Sequence, residues 1–166
     1  DNDLYYMGSF FLKAFIHYDL GEYEIANADY HTFFGIALAE PTTSIDLDSS
    51  GYNYFMGLLQ VKLNRFDSAQ YYANRIRVGP KNPDKDFNFN NLTREIGIAS
   101  ARRPDMLDSI APEMDQPVPN FVDPDVLIYN LPYRRNSLAE AYHRFGQLDK
   151  AIAEYERMIT FDPSSN

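Results

Sequence analysis

Residues 141–163 read AYHRFGQLDKAIAEYERMITFDP, and this stretch decides the fold. Apolar side chains recur at helical spacing on both sides of Gly146, charged residues fall between them, and Pro163 closes the run. Two amphipathic helices joined by a glycine turn are expected to lie back to back. Such helices cross closely only where each offers a small side chain, and the tight turn between them wants a residue that tolerates positive φ. The small residues here are Ala139, seven before Gly146, and Ala151, five after it.

The same spacing recurs upstream. Around Gly21 it finds Ala14 and Ala26, around Asn64 it finds Gly57 and Ala69, and around Pro104 it finds Gly97 and Ser109 in a weaker instance. All eight tested sites carry Gly, Ala or Ser, and the turn positions 21, 64, 104 and 146 are separated by 43, 40 and 42 residues. Between the hairpins run connections rich in turn formers: Pro41-Thr42-Thr43-Ser44, Gly79-Pro80-Lys81-Asn82-Pro83 and Pro117-Val118-Pro119-Asn120. The pattern predicts helices over 3–20, 22–39, 51–63, 66–78, 91–103, 105–114, 125–145 and 148–161, grouped as repeats 1–43, 44–85, 86–123 and 124–166. Pro104 at its turn and Pro112 inside its second helix make the third repeat the most degenerate. Pro124 suits a helix start, whereas Pro132 should kink the seventh segment or delay its repeat helix.

From Arg135 onward, the order Arg135, Leu138-Ala139, Tyr142, Ala151, Tyr155 and Pro163 resembles the tetratricopeptide pattern W-x-x-L-G-x-x-Y…A-x-x-x-F…P, with Arg for Trp, Ala for Gly and Tyr for Phe. The period is longer than the family's ~34 residues because the connections are longer. The resemblance, to a bacterial-type member, implies an all-α, right-handed superhelical solenoid of about four helix-turn-helix repeats, with residues 1–166 as a single domain. It also implies binding rather than catalysis: a scaffold holding a peptide or protein in a concave groove, or alternatively a regulatory or sensor arm of a larger signalling enzyme or cell-envelope complex.

In such arrays the first helix of each repeat lines the groove. The family's groove positions translate onto Phe11, Phe15, Tyr18 and Asp19, then Tyr54, Leu58, Val61 and Lys62, then Arg94, Ile98 and Arg102, and finally Tyr133, Asn136, Glu140, His143 and Arg144. Four cations stand there against two carboxylates, in a chain whose formal net charge is −9. The expected partner is therefore an acidic or carboxylate-ended segment held by Arg forks, with apolar side chains taken by the aromatic N-terminal half. Tyr and Phe at helical spacing also serve simply as packing, and surface Arg as solvated charge. The family further implies a solvating helix at the end of the array. Here the chain stops just after a repeat, so Ile152, Tyr155 and Ile159 should form an exposed stripe, which leaves self-association through the C-terminal helix open.

Composition sets the outer limits. Apolar residues make up 45% of the chain, with 13 Tyr and 12 Phe, too much apolar surface for a disordered segment. The acidic balance argues against nucleic acid as a partner. Without cysteine there is no disulfide, thiolate nucleophile or cysteine-ligated zinc. No apolar run approaches the ~20 residues that span a bilayer, so the chain reads as soluble, with cytoplasm and periplasm equally compatible. The start at Asp1-Asn2-Asp3, lacking an initiator Met or leader, suggests that a natural start has been removed.

Chemical motifs are few. Residues 84–95, DKDFNFNNLTRE, place oxygen donors at the first, third, fifth and twelfth positions of a calcium loop, but Phe89 stands where the sharp turn needs Gly. Gly79, Pro80 and Pro83 also leave no helix expected before Asp84, so the segment is read as a polar inter-repeat loop ending in helix caps. Asp46-Leu47-Asp48-Ser49-Ser50-Gly51 lacks the closing carboxylate and reads as a helix start. His17, His31 and His143 lack zinc-helix spacing, and no nucleophile elbow, phosphate loop or dinucleotide fingerprint occurs. The sequon Asn91-Leu92-Thr93 matters only in a glycosylating host. No catalytic residue, metal ligand or cofactor is assigned.

Overall fold

The computed structural model describes residues 2–39, 50–78, 83–115 and 135–161. Among them every regular element is helical: α1 (Asn2–Asp19), α2 (Tyr23–Ala39), α3 (Ser50–Lys62), α4 (Phe66–Ile76), α5 (Pro83–Ser100), α6 (Pro104–Ile110), a 3-10 turn (Ala111–Asp115), α7 (135–144) and α8 (Leu148–Phe161). The chain is all-α and built of helical hairpins. They gather into two compact units, Asp1–Val78 and Gly79–Asn166.

Three hairpin turns share one geometry. Gly21, Asn64 and Gly146 hold φ of 77°, 56° and 71°. At each, the turn residue's N–H bonds the carbonyl three residues back (Tyr18, Val61, His143), and the next N–H bonds the carbonyl five back (His17, Gln60, Tyr142). That pair of bonds is the Schellman closure, which satisfies two carbonyls left open at a helix C-terminus. Four residues further on, the N–H of Ala26, Ala69 and Ala151 bonds the carbonyl of Glu22, Arg65 and Gln147, starting the second helix in the same register each time.

The small side chains sit where the helices meet. Ala14, Ala26, Ala69 and Ala139 are fully buried, Ala151 is 3% exposed, and Gly57 is buried. The third hairpin departs from this plan. Proline cannot adopt positive φ, so Pro104 opens α6 instead of closing a turn, and Arg103 before it is extended (φ −145°, ψ 148°). Ser109 is consequently exposed, donating its hydroxyl to the Met106 carbonyl at 2.7 Å. Gly97 instead faces Ile110, whose Cδ1 would lie 3.1 Å from a Cβ at 97. The close contact has slipped by one residue.

Some helix limits also differ from the pattern, and α5 ends at Ser100, leaving Arg102 beyond it. α5 begins at Pro83 rather than near 91, because Pro83 fits the first turn, Asp84 and Asp86 are favourable at a helix N-terminus, and Phe87 anchors the added turn at 9% exposure. The calcium-like segment is thus helical from its start and does not form the loop that a calcium site of that spacing requires. α6 ends at Ile110, and Pro112 lies in the 3-10 turn that follows. Pro124 and Pro132 lie outside the described residues.

The core of the first unit is aromatic. Tyr30, Phe33, Phe34, Met56 and Leu59 cluster with Ala14 and Ala26. Ring contacts run from Phe11 to Phe33 (5.3 Å), Phe33 to Phe34 (4.7 Å), Phe34 to Tyr52 (4.1 Å) and Tyr52 to Tyr72 (6.2 Å), linking α1 through α4. Edge-on pairs of this kind add about 0.5–1.5 kcal/mol each beyond area burial. The second unit packs Ile98, Leu107, Met114, Leu138, Tyr142 and Ala151 together. Two polar clamps reinforce it. Arg135 Nη1 donates to Glu154 Oε2 at 2.6 Å with side chains only 6% and 7% exposed. Asp108 accepts from Tyr142 Oη at 2.9 Å and from Lys150 Nζ at 2.6 Å, joining α6, α7 and α8.

Candidate binding surfaces

The groove positions implied by the family fall into distinct environments. In the first unit Phe11 is half-buried against Tyr30 and Phe33, and Tyr54 is 6% exposed. Phe15 is 37% exposed, Tyr18 is half-buried edge-on to Tyr23, and Lys62 is exposed at the end of α3. The apolar stripe of α1 turns Phe11 inward against α2, while Phe15, one helical turn on, stays at the surface.

In the second unit Arg94 is 7% exposed, donating to Asn91 Oδ1 at 3.1 Å with its Nε 3.5 Å from Glu113. Arg102 and His143 are exposed, and Asn136 is half-buried and donates to Glu140 at 2.8 Å. Arg144 is exposed, stacks over Phe145 with 5.3 Å between guanidinium and ring centre, and reaches the Ile98 carbonyl at 3.4 Å. It therefore lies beside the C-terminal turn of α5, which leads directly into Arg102. Tyr133 lies outside the described residues.

Some features were not anticipated from sequence. An open cleft of about 380 Å³ on the first unit is lined by Asn27, His31, Gln60, Arg65, Asp67, Ser68, Tyr71 and Tyr72. It lies over the second helices, α2 and α4, and includes none of the family-implied groove residues. Its walls are held by Gln60 donating to Asn27 at 3.0 Å and by Arg65 donating to Glu24 at 2.7 Å. The buried Arg135–Glu154 pair was also missed, although Arg in a place normally held by Trp is a signal that an acid must answer it from the second helix. Lys150 and Tyr142 donate to Asp108, and these bonds hold its carboxyl below the usual value of 3.8. Burial, with help from Asp108, pushes the Tyr142 hydroxyl well above its ordinary range.

Among the described residues, no group of three or more His, Asp or Glu could hold a metal, and no helix is long and apolar enough to cross a membrane. α8 exposes Leu148 (55%), Ile152 (54%), Tyr155 (38%) and Ile159 (56%).

Repeated hairpins closed by the same turn, the same small contacts and the same helix register define a helical-repeat protein. A family model described as tetratricopeptide repeat matches residues 135–165, which include the α7–α8 hairpin. A search of curated proteins gave no match. Tetratricopeptide repeats are, in general, modules of protein–protein interaction and are typically non-catalytic.

Proposed function

We propose that the chain is a scaffold that holds an acidic or carboxylate-ended protein segment against the first helices of its hairpins, and that it acts by binding rather than by catalysis. The observation that carries this reading is the exposure of Arg102 and Arg144 in a chain of formal net charge −9. Arg144 is pre-oriented by its stack on Phe145, which lowers the entropy lost when a carboxylate is gripped. His143 and Asn136 lie on the same helix, α7. Phe15, Tyr18 and Lys62 offer a mixed apolar and cationic surface on the first unit. Phe11, Tyr54 and Arg94 act in this reading from beneath, as packing that fixes the exposed neighbours.

Fluorescence polarisation with peptide sets that differ only in a free or amidated C-terminus, and in acidic content, tests the idea. Free-carboxylate and acidic peptides should bind more tightly, with affinity falling as salt rises. Arg102→Glu with Arg144→Glu should abolish that preference. Equal binding of amidated and free peptides, unchanged in the double variant, would reject the site.

A further inference from the structure

Gln60 of α3 is a polar side chain left only 5% exposed, and burying an amide costs free energy unless its hydrogen bonds are made. One is made: Gln60 Nε2 donates to Asn27 Oδ1 on α2 at 3.0 Å. Among the described residues neither side chain makes another, so Asn27 Nδ2 and Gln60 Oε1 are left over. Turning both amides over swaps the roles, and a donor on one side chain and an acceptor on the other still remain. Neither leftover atom is sealed in the interior, and both residues line the cleft of about 380 Å³ over α2 and α4.

A donor beside an acceptor is answered by a group that presents the same two in reverse. A carboxamide does so in one plane, and so does one residue of an extended chain, whose N–H and C=O point to the same side. The rest of the cleft suits an uncharged segment of this kind. Tyr71, 57% exposed, stands edge-on to Tyr72 with 5.4 Å between ring centres and offers a broad apolar face to side chains beside the amide. Of the charges on the walls, Arg65 is already paired with Glu24 at 2.7 Å, whereas Asp67 makes no ion pair among the described residues, which disfavours an acidic segment. The volume is near the lower end of the roughly 300–1,000 Å³ of ligand clefts, enough for a short stretch of chain.

We infer that this cleft binds an uncharged peptide segment through one amide, gripped by Asn27 and Gln60 and flanked by Tyr71. The amide comes from the peptide backbone or from a Gln or Asn side chain, since both present the same pair of atoms. The site lies apart from the surface of Arg102 and Arg144 and selects the opposite chemistry.

Titration of the isotope-labelled full chain with capped peptides, followed by NMR of the side-chain amide signals of Asn27 and Gln60, tests this and separates the two sources. A capped hexapeptide of alternating Ala and Gln supplies both kinds of amide, and one of alternating Ala and Ser supplies the backbone alone. Shifts at both signals with either peptide assign the backbone, and shifts with the Gln peptide alone assign the side chain. A hexapeptide of alternating Ala and Glu should bind roughly two- to fivefold more weakly than the Gln peptide. Gln60→Met, which keeps the buried volume, should weaken binding by about two- to tenfold. Tyr71→Ala, at an exposed position that spares the core, should weaken it by a similar factor. If neither peptide moved either signal, the inference would be overturned, as it would by binding that survives Gln60→Met and Tyr71→Ala unchanged. Arg102→Glu with Arg144→Glu should leave these shifts in place, so failure of this site and failure of the arginine surface are read separately.

Discussion

Removing the Arg135 guanidinium should be among the most damaging single changes in the second unit. The pair it forms with Glu154 is short, 2.6 Å, and both side chains are more than nine-tenths buried. Truncation of one member of such a pair strands a charge in a low-dielectric interior, which typically costs about 3–5 kcal/mol. Arg157 also donates to Glu154, at 3.2 Å, but its side chain is 51% exposed and so answers the charge only in part. The lower end of the range, about 3 kcal/mol, is therefore expected for Arg135→Met. In a chain of this length that corresponds to a fall in Tm of roughly 6–12 °C. The double variant Arg135→Met/Glu154→Leu removes both charges and fills the space, and should regain most of the loss. Urea unfolding of the wild type, both single variants and the double variant gives the coupling directly. If Arg135→Met cost less than about 1 kcal/mol, or the double variant were no more stable than the singles, the pair would not be buried in the sense argued.

Ala14→Leu and Ala139→Leu should each destabilise by about 1–3 kcal/mol through overpacking at a helix crossing, whereas Ser109→Leu should be nearly neutral, as the exposed Ser109 has slipped from that role. Circular dichroism melts of the three variants separate these outcomes. Because hydrogen bonds from Lys150 and Tyr142 lower the Asp108 pKa in the folded state, its contribution is fully present above the usual value of 3.8 and is lost as pH falls through the folded value. Asp108→Asn should therefore flatten the acid limb of the stability curve, measured as the urea midpoint against pH. At the alkaline end, burial raises Tyr30 and Tyr52 from 10.0 to about 12, with Asp19 adding to the first and Tyr72 to the second. Their contribution is present below pH 10 and lost as pH rises towards 12, so tyrosinate absorbance should lag in the folded chain and appear on unfolding.

The hairpins were legible in sequence because their closure is local. A residue that tolerates positive φ and two small side chains at fixed distances fixed the helix limits around Gly21, Asn64 and Gly146 to within about two residues. The rule failed at Pro104 because it used spacing alone. Proline meets the spacing but cannot take the backbone angle that Gly and Asn supply. It also undervalued Pro83, read as a loop residue because prolines and glycine crowd that stretch, when the acidic first turn and Phe87 make it a helix start. For the binding surface, periodicity named which residues share a helix face, but not how deep each one sits. Arg94 and Arg102 were read on one stripe of a helix reaching residue 103, but α5 ends at Ser100, so Arg94 is 7% exposed beside Glu113 while Arg102 lies beyond the helix at the surface. The Asp108–Lys150 contact joins residues 42 apart through a slipped hairpin, and no spacing rule anticipates it.

The shared closure at Gly21, Asn64 and Gly146 also bears on how the chain reaches its native state. Each hairpin is sealed by bonds between neighbours in sequence, so little loop entropy is lost before the first favourable contacts form. Chains dominated by such short-range contacts fold quickly, and any of the three regular hairpins can serve as the nucleus. The α5–α6 region, which lacks that seal, is left to be ordered by its neighbours and should be the last part of its unit to become protected against amide exchange during refolding.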